Sequence, residues 1–156
     1  MESTGFAMIT PTSITIAPLT LPDARVTSLV AMSLEEGFDF LDRLDADWAN
    51  GDNRFDARGE ILLGVSDGAN LIAVGGVNID PYSTEDCGRL RRVYVAPSHR
   101  TNGVGALLVT RLLDHARENF RIARLRTDTD RAARFYERLG FRRIEDPNAT
   151  HELSLV

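Results

Sequence analysis

A mixed α/β (α+β) sheet packed by helices, in one domain, is the architecture to which this sequence points. Short runs of alternating apolar and polar residues, rich in β-branched and aromatic types, recur along the chain. Segments of helical periodicity with recognisable start and stop signals separate them. The 156 residues suit one domain and are enough to bury a real core. Residues 1–12 are expected to be a weakly ordered N-terminal extension, and 13–156 the single domain.

Taken in order, Ser13 to Ala17 alternates as a strand, and Pro18 to Pro22 turns the chain. Asp23 is placed to cap a first helix carrying Val26, Leu29 and Val30. Ser33-Leu34-Glu35-Glu36 has the spacing of a capping box and is expected to open a second helix, with Leu34, Phe38, Leu41, Leu44 and Trp48 on one face. Asn50-Gly51 ends it. Glu60 to Val65 and Leu71 to Val77 form an antiparallel hairpin over Ser66 to Asn70. A loop from Pro81 to Gly88 leads into a strand from Leu90 to Val95, stopped by Pro97. Val104, Leu107, Leu108, Leu112 and Ala116 then recur at helical spacing. Ile122 to Thr127 is a strand, and Arg131 to Leu139 a short helix with Asp130 as its cap and Gly140 as its terminator. Phe141 to Ile144 and Glu152 to Val156 close the chain as strands.

Composition narrows the function. Hydrophobic content of 43% and charged content of 26% are ordinary for a globular domain. No apolar run approaches the roughly 20 residues that span a bilayer, so no membrane association is expected. The N-terminus lacks a basic region, and prolines interrupt the apolar stretch after it, so the expected location is cytoplasmic. Cys87 is the only cysteine, which excludes an internal disulfide and a cysteine-based metal site; it reads as a small loop residue rather than a nucleophile. No metal is expected. The net charge of −5 conceals a split: residues 1–88 hold 15 acids against 4 arginines, and residues 89–156 hold 8 acids against 14 arginines. That split suits an anionic cosubstrate on one side and a cationic acceptor on the other, or merely solvated faces of unlike sign. Nucleic acid is disfavoured, because the basic half has no arginine run interleaved with aromatics.

The strand ending at Val95, the turn-rich Ser98 to Asn102 and the helix opened by Gly103-Val104-Gly105 make a strand, glycine loop and helix. The first turn of a helix leaves backbone N–H groups unpartnered, and its dipole puts partial positive charge there. A phosphate fits that end, and glycine lets it approach the main chain closely. Arg100 can add a fixed charge. A nucleotide-hydrolysing P-loop is excluded, since it needs Gly-Lys-Ser/Thr and the chain has no lysine. The dinucleotide fingerprint fails as well, because Leu108 stands where a third small residue is needed.

The pattern Arg100-x-x-Gly103-x-Gly105, followed about 30 residues later by Ala132-Ala133-Arg134-Phe135-Tyr136-Glu137-Arg138-Leu139-Gly140-Phe141, resembles the GNAT superfamily of N-acetyltransferases. The resemblance implies a twisted, mostly antiparallel sheet of about six or seven strands, helices on both faces, and two central strands that splay apart to receive acetyl-CoA. It implies that backbone groups of Val93 and Val95 pair with the pantetheine arm. It further implies that main-chain N–H groups from Thr101, Asn102, Gly103, Val104, Gly105 and Ala106, with Arg100, hold the pyrophosphate. Tyr136 would donate a proton or hydrogen bond to the departing thiolate; the alternative is a ring packed in the core. Thr129 stands where the family often has an asparagine near the pantetheine, and either it or Asp130 could instead cap the helix.

Arg89, Arg91 and Arg92 occupy the strand where the family often carries a glutamate base. Asp80 and His151, on the acceptor side, are the candidates for the base that takes the proton of the amine, with Glu85 and Asp86 weaker ones; surface roles and water-relayed deprotonation are the alternatives. The implied activity is transfer of acetyl to a primary amine by direct attack in a ternary complex. The acceptor would be a small molecule, and acids between Asp39 and Asp56 suggest a cationic one. Homodimers are common in the family. A non-catalytic acyl-CoA sensor or interaction module with the same fold is the competing reading.

Overall fold

The computed structural model describes residues 13–156, so the expectation for residues 1–12 lies outside the described residues. Seven strands form one sheet in the order β1-β2-β3-β4-β5-β7-β6. In chain order the elements are β1 (Ile14–Pro18), α1 (Val26–Glu35), α2 (Phe40–Asn50), β2 (Ile61–Asp67), β3 (Asn70–Ile79), β4 (Cys87–Val95), α3 (Val104–Arg117), β5 (Ile122–Leu125), α4 (Asp130–Arg138), β6 (Arg142–Arg143) and β7 (His151–Ser154). Every pairing is antiparallel except β4 with β5. No helix among the described residues is long and apolar enough to cross a membrane.

Alternation along the strands divides the core between the two faces. On one face Leu63, Val65, Ile72, Val77, Leu90, Ala123 and Leu125 pack beneath α3 and α4; on the other, Leu62, Leu71, Val74 and Tyr94 pack beneath α1 and α2. The α3 helix buries Val104, Leu108, Leu112 and Ala116, spaced by four residues, together with Val109 and Leu113. Leu107 falls outside that stripe and is exposed, contrary to the apolar face read from the sequence. Each fully buried leucine of such a stripe contributes about 2 kcal/mol of transfer free energy.

Four local expectations are corrected. Ser33 does not open the second helix: it is buried near the end of α1, where its Oγ donates to the Val30 carbonyl at 2.8 Å. Gly37, with φ +87°, turns the chain out of α1, and α2 starts only at Phe40. A left-handed glycine ends a helix more decisively than a capping-box spacing starts one. Asp23 accepts the Arg25 N–H rather than one inside α1. Cys87 is not a loop residue but the buried first residue of β4, where burial pushes its thiol up to about 12. The hairpin is tighter than expected, with β2 and β3 joined across Gly68 and Ala69.

Candidate functional site

The site is built where β4 and β5 part. Their parallel register holds for only three pairs, Cys87 with Ile122, Gly88 with Ala123 and Arg89 with Arg124. From Leu90 onward the β5-facing edge of β4 has no strand partner and borders the slot between the two strands; of its carbonyls that of Val95 is taken by Arg100 Nε at 3.0 Å.

A bulge bends β4 at this point. Val74 pairs with Tyr94 and Gly76 with Arg91, so Arg92 and Val93 together oppose Gly75. Arg92 takes φ +60°, unusual for a side chain with a Cβ, and re-aims the strand. Gly75 makes room: a Cβ there would stand 3.1 Å from Val93 Cγ2 and 3.2 Å from Leu112 Cδ1. The Gly75-Gly76 pair inside a strand pattern was the readable sign of this bulge, and sequence reasoning missed it.

At the open end of β4 the chain passes through a single 3-10 turn, Pro97–His99, into the glycine turn. Gly103 has φ +86° and is the N-cap of α3, with nothing within 4 Å of where a Cβ would sit. The first turn of α3 that follows leaves backbone amides without intrahelical partners. Gly105 faces Phe135 and Val95 with room to spare: a Cβ there would lie 3.4 Å from Phe135 Cζ and 3.5 Å from Val95 Cγ2, ordinary contact distances.

Tyr136 stands on the same face as this turn. Its ring meets Phe135 at 5.0 Å and Phe141 at 5.7 Å, both edge-on, and it belongs to the core beneath α3. Its hydroxyl has no hydrogen-bond partner among the described residues, and desolvation raises its pKa above the ordinary tyrosine range. The ring is buried, but the enclosed polar side-chain atoms without a partner among the described residues are Arg89 Nη1 and Arg92 Nε, so the Tyr136 oxygen is not sealed from solvent. Thr129, just ahead, caps α4 by accepting the Ala132 N–H at 3.2 Å; Asp130 does not cap.

Arg100 reaches back across the turn. Its Nε donates to the Val95 carbonyl at 3.0 Å and its Nη1 to Glu36 Oε2 at 2.7 Å, while Tyr94 donates to Glu36 Oε1 at 2.6 Å. Hydrogen bonds from Arg100, then Tyr94, lower the Glu36 carboxyl to about 2. The guanidinium is thus committed to joining the end of α1 to the phosphate-type turn. Glu36 and Tyr94 were missed, because no sequence spacing relates positions 36, 94 and 100.

The remaining candidates lie elsewhere. Asp80 follows β3 at the end where β4 and β5 are still paired; it is buried, accepts the Tyr82 N–H at 2.9 Å and sits 3.8 Å from Arg89 Nη1. His151 is fully buried on β7, between Thr150 Oγ1 at 2.9 Å and Glu137 Oε2 at 2.8 Å, and it holds the Glu137 carboxyl below its ordinary range. Neither presents a free side chain to the slot. Glu85 bonds Arg124 at 3.1 Å near the paired end. No cluster of three or more metal-ligating side chains exists among the described residues.

The sequence profile of the acetyltransferase (GNAT) family matches residues 26–141. No curated protein matches the chain. Among solved structures, a protein from Exiguobacterium sp. 255-15 assigned by inference to the acetyltransferases is 27% identical; the match covers 90% of this chain and 93% of that one, with a TM-score of 0.79. YncA of Salmonella typhimurium, also assigned by inference as an acetyltransferase and solved with acetyl-CoA, is 18% identical over 92% and 95% of the chains, TM-score 0.68. A chimera of the spermidine N-acetyltransferase SpeG from Vibrio cholerae and hSSAT is 16% identical over 92% and 96%, TM-score 0.66. With its profile match spanning most of the sequence and its sheet parted at β4 and β5, the chain belongs to the GNAT acetyltransferase family.

Proposed function

We propose that this protein transfers an acetyl group from acetyl-CoA to a primary amine of a small molecule, by direct attack in a ternary complex. One observation carries the reading: the unpaired edge of β4, the Gly103–Gly105 turn and Tyr136, whose ring is buried while its hydroxyl bonds to no described residue, meet around one end of the sheet. Family membership supports N-acyl transfer from an acyl-CoA, and the Salmonella neighbour was solved with acetyl-CoA.

Acetyl-CoA supplies the acyl group as an activated thioester. Amides of Thr101, Asn102, Gly103, Val104, Gly105 and Ala106, at the positive end of α3, would bind its diphosphate. Main-chain groups of Val93 and Val95 would align its arm. Arg100 would hold the turn in place through Val95 and Glu36, and Thr129 would fix the start of α4 beside the arm. In the transfer the amine nitrogen bonds to the carbonyl carbon, the C–S bond breaks, and the phenol of Tyr136 gives its proton to the sulfur. The raised pKa keeps that phenol protonated until then. With Asp80 and His151 both enclosed, the amine proton leaves to water, which reprotonates the phenol.

A small cationic amine was the acceptor suggested by the acids from Asp39 to Asp56. In the fold Asp39 pairs with Arg43 and Asp47 with Arg92, each at 3.5 Å, so part of that charge is spent. The competing reading, a non-catalytic acyl-CoA sensor, gives the free hydroxyl of Tyr136 no role. Calorimetry with acetyl-CoA and a thiol-release assay over an amine panel test the proposal. Tyr136→Phe should retain acetyl-CoA binding and lose about 10²-fold or more in kcat. Equal rates would remove Tyr136 from the mechanism, and no binding at high micromolar acetyl-CoA would end the reading.

A further inference from the structure

The face of β4 turned toward α2 carries more arginine than its surroundings neutralise. Arg89 is the last residue paired with β5, at the vertex of the slot. Arg91 shares its face by strand alternation. Arg92, re-aimed by the bulge, reaches α2 at Asp47. The Arg92 side chain is only 10% exposed, yet its one contact is a 3.5 Å approach to Asp47 Oδ2, and its Nε is enclosed with no acceptor. A guanidinium offers five donors, and enclosing one with so few partners is costly. Arg89 Nη1 likewise lacks a hydrogen-bond acceptor, but Asp80 stands 3.8 Å from it and Nη2 donates to the Asn148 carbonyl at 2.6 Å, so the charge of Arg89 is met within the fold and the excess lies with Arg91 and Arg92. Arg91 makes no ion pair or side-chain hydrogen bond with any described residue.

The charges acting on Arg92 are Arg91, Arg43, Asp47 and Asp39. Asp39 also pairs with Arg43, and Asp47 is the one carboxylate among the described residues in contact with Arg92, while Arg91 has none. The balance is positive, and it sits one residue from Val93, which with Val95 is proposed to align the arm of acetyl-CoA. We infer that this arginine face receives an anionic group on the acceptor: the substrate is an amine that also carries a carboxylate or phosphate, seated on Arg92 and Arg91 with its nitrogen toward the thioester. The planar fork of arginine matches either anion. A polyamine would instead set like charge against these arginines. This inference rests on the proposed acetyl transfer and replaces the cationic acceptor.

The test is thiol release at saturating acetyl-CoA with glutamate, aspartate, O-phosphoethanolamine, putrescine and spermidine, while calorimetry follows acetyl-CoA separately. At least one acidic amine should exceed both polyamines in kcat/KM by about 10²-fold, and carboxylate against phosphate ranking identifies the anion. Arg91→Gln, at a half-buried position that spares the enclosed Arg92, should raise KM for that amine about tenfold with kcat and the KM for acetyl-CoA kept. Arg91→Glu should shift the preference toward polyamines. Preference for polyamines in the unmodified protein, or an acidic-to-polyamine ratio unmoved by Arg91→Glu, overturns this inference and leaves acetyl transfer standing. Absence of acetyl-CoA binding overturns both.

Discussion

Tyr136 buries its ring while its hydroxyl makes no bond to any described residue. Tyr136→Phe therefore removes no protein contact, and its thermal midpoint should match that of the unmodified protein while kcat falls. A drop in midpoint of several degrees would mean that the hydroxyl is structural. Gly105 offers a complementary test. A Cβ there meets its neighbours at ordinary contact distances, so Gly105→Ala should fold normally and weaken acetyl-CoA binding through crowding of the ligand alone, read by calorimetry. Glu36 belongs to a different class, since its carboxyl is lowered to about 2 in the fold by Arg100 and Tyr94. A group depressed in this way stabilises fully above its unfolded value near 4.5, and that contribution is lost as pH falls toward 2. Glu36→Gln should therefore cost about 1–2 kcal/mol at neutral pH and flatten the decline in stability below pH 4.5, measured by denaturant titration across pH.

Helix boundaries show where local chemistry decides and where it yields. At α4 the cap is Thr129, and Thr129→Ala should lower stability by about 1 kcal/mol in chemical denaturation. Gly51, Gly103 and Gly140, at φ +87°, +86° and +103°, mark the end of α2, the start of α3 and the end of α4, each legible in the sequence as punctuation. Ser33 was misleading because its spacing to Glu36 is that of a capping box, but α1 already ran through it and Gly37 closed that helix instead. The stripe of α3 was legible as a period, although which side faced the sheet was not. Leu108 is fully enclosed, whereas Leu107, read as part of the same stripe, is 40% exposed. Leu108→Ala should cost about 2–5 kcal/mol and Leu107→Ala well under 1, a contrast measurable by thermal unfolding.

For the molecule as a whole, the decisive feature is the three-pair limit on the β4–β5 ladder. Hydrogen exchange should find the β5-facing amides of residues 90–95 and those of 101–106 fast in the free protein, and slowed when acetyl-CoA is added. Unchanged exchange on addition would place the ligand elsewhere. Much of this molecule was written in local sequence: the strand periods, the glycine turn before Val104, and the order of the motifs that gives the family. Those are properties of residues within a turn or two of one another, and spacing along the chain expresses them directly. The Glu36–Arg100 bridge, the enclosure of Asp80 and His151, the bulge that turns Arg92 toward α2 and the unshared charge of Arg91 were decided only when distant segments packed. Burial and charge balance depend on what lies across the sheet, so no local pattern could encode them.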